Sequence, residues 1–255
     1  MCTNPLVIRR AFAGKVKTDV VPCGKCHECI SKKQNEFAAL ACLEAKKSSS
    51  MWFATLTYSN NRVPIMFSYY QANELHTDFV VDNNRAEILS KMALNMDGKK
   101  VLHSFVYNGF ECNASLRRED FKLFLKRCRV SYEREFGVKL KFTYAAFGEY
   151  GDRTHRPHYH ALFFGLTDKQ ASYISSAWSS EFGFSDFHKI PVVNSDGSPA
   201  HVKVSKYVSK YLSKPKKDFL PLLEGKVEAP RRVSSIGFGL GVLDDNVKNF
   251  TYAKI

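Results

Sequence analysis

Residues 145–165, AAFGEYGDRTHRPHYHALFFG, constrain the fold of this chain more than any other stretch. Two apolar, aromatic-rich runs flank a polar turn segment at residues 151–157, the pattern of a β-hairpin. Side chains alternate between the faces of a strand, so His158 and His160 share one face and Tyr159 takes the other. A hairpin folded symmetrically about Thr154 sets Glu149 across from Tyr159 and His160. Two imidazoles and a carboxylate that converge make a facial ligand set for a divalent cation, with positions left open for water or substrate. A bare His-x-His pair on a strand is otherwise two partly exposed histidines. The nearness of Glu149 makes the candidate metal set Glu149, His158 and His160.

The totals say what such a site would meet. Lys and Arg number 38 against 25 Asp and Glu, a net charge of +13. That excess favours polyanionic partners, nucleic acid first and an anionic membrane surface second. With 44% hydrophobic residues, 20 Phe and 12 Tyr among them, the 255 residues can bury the core of one large domain, or of one domain with appendages. No apolar run approaches the ~20 residues needed to span a bilayer. Arg9 and Arg10 are followed by no apolar h-region, so no signal peptide is expected. Seven cysteines, an odd and unevenly placed set, suit a reducing cytoplasm better than a secreted disulfide framework.

Along the chain, Cys23, Cys26 and Cys29 stand at C-x2-C-x2-C spacing, which lets thiolates converge on one structural zinc ion. Three ligands leave a fourth to be found, with His27, Cys42 and Cys2 as candidates. Free thiols that pack the following helix are the alternative. That helix is predicted over residues 31–47, with Phe37, Leu40, Ala41 and Glu44 at helical spacing. Residues 51–58, MWFATLTY, read as a core strand, aromatic and β-branched throughout. The signal weakens over residues 62–113, an insertion of short strands and turns. Ser115 is predicted to cap a basic helix that runs to Phe136 and closes at Gly137, with Phe121, Phe124, Leu125, Cys128 and Tyr132 as its apolar stripe. A further helix is expected over 168–182, capped by Thr167, then a strand over 184–193 and a turn-rich loop over 194–199. Domain organisation is thus a cysteine-rich arm and helix over residues 1–50, packed on a domain over 51–255.

Residues 200–217, AHVKVSKYVSKYLSKPKK, hold six lysines and no acid. Helical as far as Lys214, where Pro215 ends it, the segment places Tyr207 and Tyr211 one turn apart on one face, with Lys210 and Lys214 beside them. Val204, Val208 and Leu212 form a separate stripe that can dock on the sheet. Taken alone, this is an amphipathic basic helix whose tyrosines snorkel. Taken with the metal set it describes phosphoryl chemistry. A phenol with a pKa near 10 is a weak nucleophile at neutral pH until its proton is removed or its target made more electrophilic. A cation beside the phosphate and a nearby lysine would do both. Attack by tyrosine yields a phosphotyrosine that keeps the diester energy for rejoining, and a second tyrosine can hold one strand while the first cleaves again.

The ordered set of PHYHALFF, FGEYG before it, FATLTY upstream and YVSKYLSK downstream resembles the motifs of HUH endonucleases. It is most similar to the two-tyrosine rolling-circle replication initiators of gokushovirus-type microviruses, whose cysteine-rich start PCGKCHEC also resembles. The resemblance spans residues 23–214. It implies an α+β fold, a central antiparallel sheet in an RRM-like palm with flanking helices and the histidine pair on a central strand. It implies Mg²⁺ or Mn²⁺ at His158 and His160, with Glu149 in the place of the acidic ligand, which varies within the superfamily. Tyr207 and Tyr211 match the nucleophiles, and Lys210 and Lys214 the motif lysines. The implied substrate is single-stranded DNA at a replication origin. No phosphate-binding loop or helicase domain is seen, so a host helicase and polymerase are implied partners, in the cytoplasm of a host bacterium, with no membrane. Two other readings stand beside it: a metal-dependent phosphoesterase using activated water, and a non-catalytic nucleic-acid-binding protein with a zinc-knuckle arm. Arg153, Arg156, Arg231 and Arg232 read as solvated surface charge or DNA contacts.

Overall fold

The computed structural model describes residues 2–12, 15–80, 104–152, 155–212 and 219–240. The N-terminus forms a strand pair, β1 (Leu6–Phe12) and β2 (Lys15–Val21), followed by the long helix α1 (His27–Lys47) and strand β3 (Met51–Tyr58). Four strands come next: β4 (Ile65–Gln71), β5 (Glu74–Phe79), β6 (Ser104–Tyr107) and β7 (Phe110–Ala114). Helix α2 (Arg118–Phe136) leads into the hairpin of β8 (Thr143–Tyr150) and β9 (Pro157–Phe164). Then come α3 (Asp168–Glu181), β10 (Gly183–Ile190) and α4 (Ala200–Ser209), which continues as a 3-10 turn over Lys210–Leu212. A helical turn at Leu220–Leu223 and the short β11 (Arg232–Ser234) complete the described chain. This is the α+β architecture with antiparallel sheets that the sequence predicts.

The five-stranded sheet runs β10-β3-β9-β8-β11, each neighbouring pair antiparallel, which puts the His-x-His strand β9 in the middle. Strand alternation sorts its residues into two cores. Ala54, Leu56, Tyr58, Tyr159, Ala161, Phe163, Ala146 and Tyr150 point to one face and pack with Phe121, Phe124, Ile174 and Trp178 of α2 and α3. Met51, Ala145, Phe147, Leu162 and Phe164 point to the other, against Phe37 and Ala41 of α1, Val208 of α4 and Phe238. Phe37 meets the Phe147 ring edge-on at 4.8 Å and stacks on Phe238 at 5.9 Å. Burying each such aromatic side chain contributes about 1.5–3 kcal/mol. Helix α1 therefore fixes α4, and α4 carries the tyrosines.

Element boundaries differ from the sequence reading where distant residues decide them. Helix α1 begins at His27 rather than residue 31. Ser115 does not cap α2: its hydroxyl donates to the Leu116 carbonyl at 2.9 Å and accepts from the Glu228 amide at 2.9 Å. The cap comes instead from Glu228, whose two carboxylate oxygens each lie 3.2 Å from the Arg118 amide. That carboxylate meets the positive end of the helix dipole from far along the chain, and no local pattern announces it. Gly137 closes the helix in the left-handed conformation, φ 68°, as expected. Thr167 and Gln170 form a capping box for α3. Strand β10 starts one residue earlier than predicted and ends at Ile190, three residues short of the predicted limit. The weak-signal region folds in part into a second sheet, β5-β4-β7-β6; the expectations for residues 81–103 lie outside the described residues.

Gly183, at the turn into β10, has φ 152°, and a Cβ there would sit 2.2 Å from the Ser59 amide nitrogen and 2.7 Å from the Thr57 carbonyl oxygen. Both are backbone atoms of the neighbouring strand and cannot swing aside. Gly183→Ala is expected to destabilise the chain by at least ~2 kcal/mol, read as a lower urea midpoint with an unchanged slope.

Candidate metal centre and tyrosine pair

The hairpin register decides whether a metal set exists. Glu149 pairs with His158, Phe147 with His160 and Gly148 with Tyr159. Folding about Thr154 would have set Glu149 opposite Tyr159, one residue out of step. Directly opposed residues share a face, so that slip would have turned the carboxylate into the α2–α3 core, away from both imidazoles. The observed register is held at the turn by the Gly151 amide donating to the Arg156 carbonyl at 3.1 Å and the His155 amide donating to that of Gly151 at 2.9 Å. It also keeps Tyr150, Tyr159, Ala161 and Phe163 on the buried side.

With that register, Glu149 Oε2 lies 3.4 Å from His158 Nε2 and 3.2 Å from His160 Nε2, and the two Nε2 atoms are 3.1 Å apart. Three donors ~2.1 Å from one octahedral ion would be about 3.0 Å from each other. The ligand triangle thus fits a single cation. Glu149 and His160 are buried, His158 largely so. Each imidazole is oriented through its other nitrogen: His158 Nδ1 faces the Arg156 carbonyl at 2.9 Å and His160 Nδ1 the Thr55 hydroxyl at 3.3 Å. A carbonyl can only accept, so His158 carries its proton on Nδ1 and turns the Nε2 lone pair to the site.

The tyrosines close over this set. The Tyr211 ring stacks on His160, centroids 4.1 Å apart, and its hydroxyl donates to that of Tyr207 at 2.6 Å. Phe53 stacks on His160 at 5.6 Å and meets Tyr207 edge-on at 6.0 Å. Burial, and then the adjoining Tyr207 hydroxyl, push the Tyr211 phenol well above its ordinary pKa. As the chain stands, that oxygen keeps its proton. Tyr207 is half exposed and borders a hollow of 200 Å³ lined by Phe53, Ile190, Lys203 and Val204. Lys210 is exposed on the 3-10 turn between the two tyrosines' positions. The helix loosens into that turn earlier than predicted, and Lys214 lies outside the described residues.

The sequence reading missed three supports of the site. Phe53 and Thr55 were read as core, yet alternation puts them with Thr57 on the site face of β3. Arg156 is neither solvated charge nor free for DNA: it donates to the Tyr58 carbonyl at 2.8 Å and to the Asn60 side chain, tying β9 to the end of β3. Arg231 and Arg232 are exposed, and Arg153 lies outside the described residues. At the N-terminus, the sulfurs of Cys23, Cys26 and Cys29 meet, and the fourth member of the cluster is Cys2, not His27 or Cys42. A cleft of 740 Å³ between Lys47, Arg129, Lys139 and Phe142 opens at the far end of the β8–β9 ladder and has no part in this chemistry.

Residues 103–216 match the model of a family described as Replication-associated protein ORF2. The matched stretch contains Glu149, both histidines and both tyrosines. The chain is 26% identical over 149 residues to the Replication-associated protein ORF4 of Chlamydia phage 1, covering 58% of this chain and 25% of that protein. It is 28% identical over 152 residues to the Replication-associated protein ORF2 of Spiroplasma virus 4, covering 59% of this chain and 33% of that one. The chain thus spans a quarter to a third of the length of these relatives. Among solved structures, the N-terminal nuclease domain of minute virus of mice non-structural protein 1 is 10% identical, with a TM-score of 0.24, covering 79% of this chain and 77% of that chain. Among the described residues no helix is long and apolar enough to cross a membrane.

Proposed function

We propose that this chain nicks and rejoins single-stranded DNA at a replication origin through a 5′-phosphotyrosine, and so initiates rolling-circle replication of a small circular genome. The observation that carries the reading is the stacking of Tyr211, hydrogen-bonded to Tyr207, directly on a ligand of the Glu149–His158–His160 set. Nucleophile candidates and cation ligands from strands and a helix far apart in sequence come to one spot. The match over residues 103–216 and the net charge of +13 support the substrate class.

A divalent ion bound by the three ligands would supply positive charge to the scissile phosphate's oxygens as the transition state forms. Two imidazoles to one carboxylate make a softer set than Mg²⁺ prefers, which favours Mn²⁺. The chain's own residues do the rest. Glu149, His158 and His160 fix where the phosphate sits; Phe53 and the hollow beside Tyr207 offer an aromatic wall on which a flanking base can stack. One tyrosine oxygen bonds to phosphorus, the bond from phosphorus to the 3′ oxygen breaks, and that oxygen leaves with a proton as a free 3′ hydroxyl. The phenolic proton passes to solvent or to the second tyrosine's oxygen, 2.6 Å away. Lys210 and Lys214 would offset the charge of the phenolate or phosphate. Unwinding and synthesis would fall to a host helicase and polymerase in the bacterial cytoplasm.

The test is incubation with a single-stranded phage origin fragment and Mn²⁺, run on a denaturing gel. A protein-linked DNA band, lost on protease digestion, is the expected result. Cleavage with no such band at any time would point to activated water; no cleavage with Mn²⁺ or Mg²⁺ would leave a non-catalytic binder.

A further inference from the structure

Four sulfurs meet at the start of α1. Cys23, Cys26 and Cys29 bring three, and Cys2, 21 residues before Cys23, brings the fourth; all lie within 4.8 Å of one another. Cys26 Sγ is 3.8 Å from Cys2 Sγ, and Cys23 Sγ is 4.0 Å from Cys29 Sγ. Those lengths discriminate between the fates open to a thiol cluster. A disulfide would hold two sulfurs at ~2.05 Å. Four thiolates ~2.3 Å from one zinc ion sit at the corners of a tetrahedron whose edge is about 3.8 Å. An iron–sulfur cluster binds its thiolates on separate irons and spreads them wider.

The surrounding chain suits a bound cation. The amides of Lys25 and Cys26 donate to Cys23 Sγ at 3.4 and 3.3 Å, and the amide of Cys23 donates to Cys2 Sγ at 3.3 Å. Gly24, at φ 73°, makes the left-handed turn that curls those amides onto sulfur. Cys26 is the N-cap of α1 and Cys29 lies in its first turn, so the positive end of the helix faces the thiolates.

The placement also states a purpose. Strands β1 and β2 pair only with each other, with Leu6, Val7, Val16 and Val20 exposed. A two-stranded ribbon alone is marginally stable in water. Cys2 precedes β1 and Cys23 follows β2, so a single ion would close the open base of the ribbon where Leu6 pairs with Val21. We propose that Cys2, Cys23, Cys26 and Cys29 bind one zinc ion that clamps this ribbon to the start of α1, the helix on which the tyrosine helix is seated. The clamp stands independently of the nicking chemistry.

Zinc content decides it, measured on the full chain purified under reducing conditions with zinc supplied. The His158→Ala, His160→Ala background keeps the other metal set from contributing. One zinc per chain is expected, retained by Cys42→Ser and reduced at least ~10-fold in Cys2→Ser and in Cys26→Ser after dialysis against a chelator. Hydrogen exchange supplies a second readout that also reports folding. Amides of residues 6–21 should exchange at least ~10-fold faster in Cys2→Ser, with those of β3, β8 and β9 unchanged. Wild-type chain holding less than about 0.1 zinc, or carrying iron and sulfide instead, overturns the site. Undiminished zinc in Cys2→Ser overturns the fourth ligand, and an unchanged ribbon overturns the clamp.

Discussion

Tyr207→Phe combined with Tyr211→Phe is expected to remove covalent attachment to an origin oligonucleotide altogether, at least ~10³-fold and below detection on a denaturing gel. Each substitution deletes one oxygen and keeps the ring, so the stack of residue 211 on His160 and the edge contact of residue 207 with Phe53 survive. Stability should change by less than about 1 kcal/mol, because Tyr207 is half exposed and its hydroxyl is bonded only within the pair among the contacts described. Loss of attachment then reports lost chemistry rather than lost fold. The single variants should behave differently from the pair. Tyr207→Phe leaves Tyr211 against the metal ligand, and Tyr211→Phe leaves the more accessible Tyr207, so each should still form an adduct. Transfer of a held strand onto a second origin needs both phenols and should fall in either single variant. Attachment that persists in the double variant would remove both tyrosines from the reaction.

How much of this was legible in the sequence depends on the range over which each residue finds its partners. The His-x-His pair, the tyrosines one turn apart and strand 51–58 follow from periodicity alone, and they stand as read. The hairpin register could not be fixed from the turn alone: one residue of slip moves Glu149 between faces. What settles it is the demand that Tyr150, Tyr159, Ala161 and Phe163 all reach the α2–α3 core, a condition set by helices elsewhere in the chain. Ser115 looked like a cap because it precedes an acidic first turn, but Glu228 takes the role from 110 residues away. Thr55 carried a signal that went unused. On a half-buried strand, FATLTY alternates, and its odd-numbered residues face the same side as the histidines. Cys2 carried no signal by spacing, since the ribbon that brings it to Cys23 is itself a tertiary feature.

Removing the ligand set should be as damaging as removing the phenols, and it separates binding from chemistry. In wild-type chain, Mn²⁺ at ~100 times its dissociation constant should stabilise the fold by about 2.7 kcal/mol, a rise in Tm of roughly 5–10 °C. His158→Ala with His160→Ala should abolish that rise and reduce nicking at least ~10³-fold. The same change strands the buried Glu149 carboxylate, which loses both imidazoles 3.2 and 3.4 Å away, so the double variant should also lose about 3 kcal/mol without any metal. Glu149→Gln answers that ambiguity: it keeps volume, deletes the charge, and should lose the Mn²⁺-dependent rise with little change in the metal-free Tm. Single-stranded DNA binding, carried by the basic surface, should survive in both variants and weaken steeply with salt. Chelation of the wild-type chain is less clean, because it would also strip the four-cysteine cluster. Restoring activity with Mn²⁺ alone, with zinc withheld, assigns the catalytic ion to the histidines. If either variant kept its Mn²⁺-dependent rise in Tm, the cation would have to sit elsewhere, and the stacking of Tyr211 on His160 would lose its chemical meaning.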